Sequence, residues 1–169
     1  DDPVRFDREY AVVLSDYSFM HPHTIYNRLK QQAGVFNFQR QTVAGLLAGR
    51  DQSFSDRLEW AAMRMDPADI SDVTGSTYRF LINGHGPEDN WTALFVPGER
   101  VRLRFVNAAA MTIFNVRIPG LQMEVVAADG QDVRPVAVDE FQISVAETYD
   151  VIVRPTEDRA LTLVAEAVD

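Results

Sequence analysis

Hydrophobic and polar residues alternate along most of the second half of the chain. From Thr77 onward the pattern has a period of two, in the segments YRFLIN, PGERVRLRFVN, EFQISVAETYDVIVRP and ALTLVAEAV. Such alternation predicts half-buried β-strands. Asn83-Gly84 and Asp129-Gly130 are tight-turn signals between apolar segments. Short strands at regular spacing predict an antiparallel sandwich or barrel, and the run EYAVVL at residues 9–14 adds an early strand.

A helical pattern replaces the alternation between about residues 22 and 72. The segments HTIYNRLKQQAG and QTVAGLLAGR each have a short apolar face, and in SFSDRLEWAAMRM four apolar residues follow the helical i, i+3, i+4, i+7 rule. Ser53 and Asp56 predict a capping box for that third helix, and DPAD at 66–69 predicts a fourth, short helix. The fold class predicted is mainly β, a β-sandwich with a helical insertion near residues 22–72 in one domain over residues 1–169.

The stretch NAAAMTIFNVRIPG at residues 107–120 is typical of the end of one strand, a turn and a second strand. Phe114, Val116 and Ile118 alternate with polar neighbours, which predicts that these three side chains face the core. Burial of each such side chain contributes roughly 1.5–3 kcal/mol to folding.

Composition narrows the classes of function. The 169 residues carry a net charge of −9, which repels nucleic acid and anionic lipid. The sequence has no cysteine, so thiolate nucleophiles, iron–sulfur clusters and a blue-copper site with its Cys ligand are excluded. No apolar run approaches the ~18 residues of a membrane helix, and no nucleic-acid partner or membrane span is predicted.

Three segments, taken in order, resemble the central domain of multicopper oxidases. They are FLINGHGP, then VPGERVRLRFVNAAAMTIFNVRIPGLQMEVVAADGQDVRP, then VAETYDVIVRP. The earlier segments VVLSDYS, YNRLKQQAGVFNFQRQTV and MRMDPADISDVTGSTYRFLING resemble the bacterial copper-resistance protein A branch, also called CopA or PcoA. The resemblance covers roughly residues 8–168.

The resemblance implies a cupredoxin-like Greek-key β-sandwich, the second of three such domains in a longer chain. In such proteins the first and third domains hold the coppers, and electrons pass from the substrate through a type 1 copper to a trinuclear cluster that reduces dioxygen to water. The copper-resistance branch is exported to the periplasm and oxidises Cu(I) to Cu(II); phenolic substrates are the other possibility for the parent. The partners implied are the flanking cupredoxin domains.

The same resemblance implies that this domain has no copper of its own. Copper-bearing domains of the family have His-x-His or His-x-Leu-His patterns on the strand after the turn. Here Ile113, Phe114, Val116 and Ile118 stand at those positions. We therefore predict no catalytic residue, no cofactor in this domain and copper only in the parent, with the domain holding the outer two in register and not catalytic when isolated.

Four residues are weak candidates for a metal site. His21 and His23 in MHPHT could together coordinate a Cu(II) or Ni(II) ion, although a polar loop before the first helix is the interpretation that we favour. Met63 and Met65 are soft ligands suited to Cu(I), and packing within the helical segment is the favoured alternative. His85 is expected to be an exposed turn residue.

Arg100, Arg102 and Arg104 form a stripe on one face of a predicted strand. They could be a solvated face paired with carboxylates, or they could dock onto a neighbouring domain. Two other functions stay open beside the spacer role. One is a stand-alone periplasmic copper-binding module that uses His21, His23 and the methionines, and the other is a sandwich that serves only protein–protein contact.

Overall fold

A computed structural model describes residues 4–36, 42–63 and 77–168. These residues form two compact units. One comprises residues 4–17 and 79–168, and the other lies within residues 18–78. The predicted helix at 66–69 and Met65 lie outside the described residues.

The first unit is a sandwich of two β-sheets, as the alternation predicts. A six-stranded sheet has the order β2-β1-β3-β8-β5-β6, and a three-stranded sheet has the order β7-β4-β9. The strands are β1 Arg8–Tyr17, β2 Arg79–Ile82, β3 Val101–Asn107, β4 Phe114–Arg117, β5 Met123–Ala128, β6 Gln131–Val138, β7 Glu140–Ile143, β8 Thr148–Val153 and β9 Val164–Ala167.

One pairing differs from the predicted antiparallel arrangement. Strands β1 and β3 are parallel, in a register that places Glu9 beside Arg102, whereas the other pairs are antiparallel within the described residues. Parallel neighbours need a long crossover, and the chain between Tyr17 and Val101 supplies one. Alternation along a strand carries no information on its direction, so the sequence could not reveal this pair.

The two predicted tight turns are confirmed. Asn83 and Gly84 have φ of 50° and 82°, and Asp129 and Gly130 have φ of 48° and 74°, as a type I′ hairpin turn requires. Asn83 also ties its turn to β1. Its Oδ1 accepts a hydrogen bond from the Val13 N–H at 2.8 Å, and its Nδ2 donates to the Ala11 carbonyl at 2.9 Å.

The core lies between the two sheets and is closed by aromatic contacts across them. Phe80 on β2 meets Phe114 on β4 edge-to-face at 5.6 Å between ring centroids, and Phe105 on β3 meets Phe141 on β7 at 5.3 Å. Edge-to-face pairs of this kind contribute about 0.5–1.5 kcal/mol beyond the area they bury. The buried apolar residues around them include Val12, Leu14, Val101, Leu103, Val116, Ile118, Met123, Ile143, Val151 and Val153.

The second unit contains the predicted helices. They are α1 Pro22–Gln31, α2 Val43–Leu47 and α3 Phe54–Met63, with a 3-10 helix at Ala33–Phe36. Thr42 caps α2 by accepting from the Gly45 N–H at 2.9 Å, and Ser53 caps α3 by accepting from the Asp56 N–H at 3.2 Å. The Ser53 bond is the first half of the predicted capping box. Within the described ranges, no helix is long and apolar enough to cross a bilayer.

The apolar stripe predicted for α3 forms, but it is not buried. Leu58 of this stripe is 55% exposed, and Ala61 and Ala62 are exposed as well; Met63, which is not part of the stripe, is 54% exposed. Met63 is half-exposed, and its packing within the helical segment stays a prediction. Helical periodicity reports which side chains share a face, and burial of that face also requires a complementary surface.

Candidate functional site

The first candidate site is β4 and the turn before it, where copper-bearing relatives are expected to hold histidines. Phe114 and Val116 are fully buried between the sheets, and Ile118, just after β4, is also buried. Copper sites need imidazole, thioether or thiolate donors held by neighbouring hydrogen bonds. These side chains have no donor atom, so the residues at β4 do not fit a copper centre.

Polar side chains hold the turn from residue 108 to residue 112 in place. Asn107, which is 1% exposed, donates from Nδ2 to the carbonyls of Thr112 at 2.8 Å and Ile143 at 3.1 Å, and its Oδ1 accepts from the Ala109 N–H at 3.0 Å. The Asp16 carboxylate accepts from the Ala110 N–H and the Thr112 hydroxyl, both at 2.9 Å. These five hydrogen bonds hold the turn in place. Sequence reasoning missed Asn107, whose position at the end of a strand and before a turn was the available signal.

His21 and His23 are neighbours in the structure. Their rings stack at 5.4 Å between centroids, with 17° between their planes. His21 is the N-cap of α1, and its Nδ1 accepts from the His23 N–H at 3.3 Å. An imidazole binds a metal in its own ring plane at ~2.1 Å, and stacked rings do not share an ion in that way. The arrangement favours the polar-loop interpretation over metal binding by this pair.

The other candidate metal ligands are dispersed. His85 lies in the turn after β2, as predicted, and its Nδ1 is 2.9 Å from the Asp89 Oδ2. Met63 is exposed at the end of α3, and Met65 is outside the described residues. In the three described ranges, no group of three or more His, Asp or Glu is close enough to hold a metal ion.

The arginine stripe divides into two kinds of environment. Arg102 is buried, its Nε donates to the Glu9 Oε2 at 2.6 Å, and its guanidinium lies 3.9 Å from the centroid of the Phe6 ring. Its Nη2 contacts the same carboxylate oxygen. Arg102 therefore pairs with a carboxylate, as the first alternative predicts, but it is buried rather than solvated, because the parallel pairing of β1 with β3 brings Glu9 beside it.

Arg104 and Arg100 remain accessible. Arg104 lies between Asp150, with 3.2 Å from its Nε to the Asp150 Oδ1, and Glu9, with 3.7 Å from its Nη1 to the Glu9 Oε2. The Arg100 N–H donates to the Asp7 Oδ2 at 2.8 Å, while its guanidinium is 3.9 Å from the Glu124 carboxylate. Docking onto a neighbouring domain stays a prediction for these two residues.

Shifted pKa values mark ion pairs at separate places. The hydrogen bond from Arg8, with a second from the Val96 N–H, lowers the pKa of Glu99. The Thr42 N–H lowers the pKa of Asp51 in the helical unit, and Glu166 together with Glu140 raises the pKa of Arg117 on the small sheet. Each of these shifts arises from a local hydrogen bond or ion pair, which is typical of structural pairs rather than of an acid–base site.

The chain is similar to known proteins along nearly its whole length. The family model described as multicopper oxidase matches residues 8–167. The chain is 50% identical over 173 residues to copper resistance protein A of Escherichia coli, and 47% identical to copper resistance protein A of Pseudomonas syringae pv. tomato. Each alignment covers 99% of this chain and 28% of the relative, so the chain spans under a third of the length of these proteins.

Solved structures show the same fold. The multicopper oxidase Fet3p, which functions in iron import, aligns with a TM-score of 0.64 at 19% identity, over 99% of this chain and 25% of that one. The blue copper oxidase from Nitrosomonas europaea aligns with a TM-score of 0.58 at 15% identity, over 95% of this chain and 37% of that one. The predicted mainly β, cupredoxin-like sandwich is confirmed.

Proposed function

The chain belongs to the multicopper oxidase family, as a domain of the copper resistance protein A type, and from this premise we propose that it is the copper-free central domain of a longer oxidase. The observation that carries the proposal is the filling of β4. Phe114 and Val116, at positions where the family resemblance implies histidines in copper-bearing domains, are buried between the sheets, and Phe114 meets Phe80 across the core. The domain acts as a spacer that positions the copper-bearing domains.

The proposed parent is a periplasmic enzyme of copper resistance. It would take electrons from Cu(I), giving the less toxic Cu(II), or from phenolic substrates, and reduce dioxygen to water. Copper resistance protein A is the name of the relatives that cover nearly all of this chain, which supports the first substrate class. Copper in that reaction belongs to the flanking domains, and the described residues here carry no step of it.

The flanking cupredoxin domains are the proposed partners. Arg100 and Arg104 are the side chains of the predicted arginine stripe that stay accessible, and arginine is enriched at protein interfaces. The net charge of −9 makes nucleic acid an unsuitable partner.

The test begins with the coding sequence on either side of this segment. It should encode His-x-His before residue 1 and His-Cys-His after residue 169. The full-length protein should then consume oxygen with Cu(I) as the electron donor. A variant with His21→Ala, His23→Ala and Met63→Leu should keep its copper content and its rate. Loss of copper from that variant would favour the copper-binding module instead.

A further inference from the structure

A cavity of about 200 Å³ opens at one end of the six-stranded sheet. Arg100 and Arg154 stand on its rim beside Glu124, while Ile152 and Ala137 supply apolar lining. The register explains this grouping. Val101 pairs with Val153, so the residues just outside that pair, Arg100 and Arg154, are brought together at the end of their strands.

The two arginines are held differently. Arg154 donates from its Nε to the Gly98 carbonyl at 3.1 Å, which fixes its guanidinium. The Nε of Arg100 is out of contact with solvent and has no hydrogen-bond acceptor in the described part of the chain. Its Nη2 is 3.9 Å from the Glu124 carboxylate, which is too long for a hydrogen bond. Because this Nε is inaccessible, a group that enters the cavity can meet only the outer part of the Arg100 guanidinium.

The charge and the size of the cavity determine which chemical group it can hold. Two guanidinium groups and the Glu124 carboxylate line the cavity, so one further carboxylate could pair with the second guanidinium; the nearby Asp7 carboxylate accepts from the Arg100 backbone N–H. Sites for small molecules and cofactors usually measure about 300–1,000 Å³, so this cavity is too small for one. A carboxylate with a few waters, at about 30 Å³ for each water, fits the space.

We propose that this cavity receives the carboxylate of an Asp or Glu side chain from a neighbouring domain of the same longer protein, held by Arg100 and Arg154. The proposal rests on the proposed function, because it requires flanking domains. A carboxylate on the same chain is present at an effective concentration in the mM range. A free anion has no such advantage, and the net charge of −9 on this chain repels it. Hydrogen bonds between arginine and a carboxylate are also stronger than those between neutral groups, and their geometry is better defined.

The experiment uses the full-length parent and zero-length cross-linking with a carbodiimide, which joins a carboxylate to an amine. Arg154→Lys keeps the positive charge and supplies the amine, and the native chain has only Lys30. Arg134→Lys, on the exposed strand β6, is the matched control. We expect peptides that join residue 154 to an Asp or Glu outside residues 1–169, absent from the control. Adding Arg100→Gln should lower their yield roughly tenfold, which corresponds to about 1.4 kcal/mol.

Three results would overturn the proposal. Residue 154 could couple only to Glu124, which would mean that the cavity is closed from within. The coupling could match that of the Arg134→Lys control, which would mean chance proximity. No coupling at all would point to a free anion or to bulk water in the cavity. Copper content and oxygen uptake, measured on the same unmodified parent, test the proposed function separately. Normal oxidase activity with no coupling would remove this inference alone.

Discussion

The sandwich unit and the helical unit are ordered by different interactions. In the sandwich, strands that are distant in sequence pair and bury a shared apolar core. In the helical unit, side chains cap their own helices, and several large apolar residues stay exposed, Leu47 at 83% among them. Hydrophobic periodicity therefore predicts an element in both units, but it predicts burial only where a second surface faces that element.

The largest effect should come from a change in the buried strand β4. Phe114→Ala removes a fully buried ring that meets Phe80, and we expect a loss of about 3–5 kcal/mol in the free energy of unfolding. Leu58→Ala on α3 should change it by no more than about 0.5 kcal/mol. Urea unfolding measures both. Equal losses would mean that the two units do not differ in the way described.

The second-largest loss in the free energy of unfolding is expected for Asn107→Ala. It leaves two carbonyls and one N–H without their partner in a buried turn, and each unsatisfied group costs about 1–3 kcal/mol before the turn relaxes. We expect a net loss of roughly 2–4 kcal/mol in the same unfolding measurement. Asn115→Ala is the matched control, because the Asn115 Oδ1 accepts from the Gln142 Nε2 on the surface of the small sheet. A control loss as large as that of Asn107→Ala would contradict the role assigned to the buried turn.

Asn107 also marks the limit of what the sequence could predict. The strands, both tight turns and the three described α-helices followed from periodicity and turn residues. The parallel β1–β3 pair, and with it the burial of Arg102 against Glu9, depends on contacts across more than ninety positions of sequence. A pattern along one strand cannot specify its neighbour. The cavity at Arg100 and Arg154 escaped prediction for the same reason, since it forms only when β3 and β8 pair.

A smaller and local effect is expected at the cap of α3. Ser53→Ala removes the acceptor for the Asp56 N–H and should destabilise this helix by about 1 kcal/mol. Hydrogen exchange at the first turn of α3 should accelerate, while the global unfolding of the sandwich stays unchanged. Ser53→Asp retains a capping oxygen and should restore the protection. Slower or unchanged hydrogen exchange at this turn in the alanine variant would show that the cap does not order this helix.

The smallest effect is a change in pH dependence. The pKa of Glu99 is lowered in the folded state by Arg8, so its ionised form stabilises the fold above the unfolded value of about 4.3. That stabilisation is lost as the pH falls through the lower, folded pKa. Glu99→Gln should therefore flatten the acid limb of stability against pH, whereas Glu88→Gln, at an exposed and looser pair with Arg79, should leave it unchanged. Acid unfolding curves of the two variants decide this.

The central claim is that apolar side chains fill the positions where sister domains bind copper. Diffraction from crystals of the full-length protein, recorded above and below the copper absorption edge, tests it most directly. The account predicts anomalous peaks for copper in the flanking domains and none around Phe114, Val116 and Ile118. A copper peak inside this sandwich, coordinated by its own residues, would contradict the account.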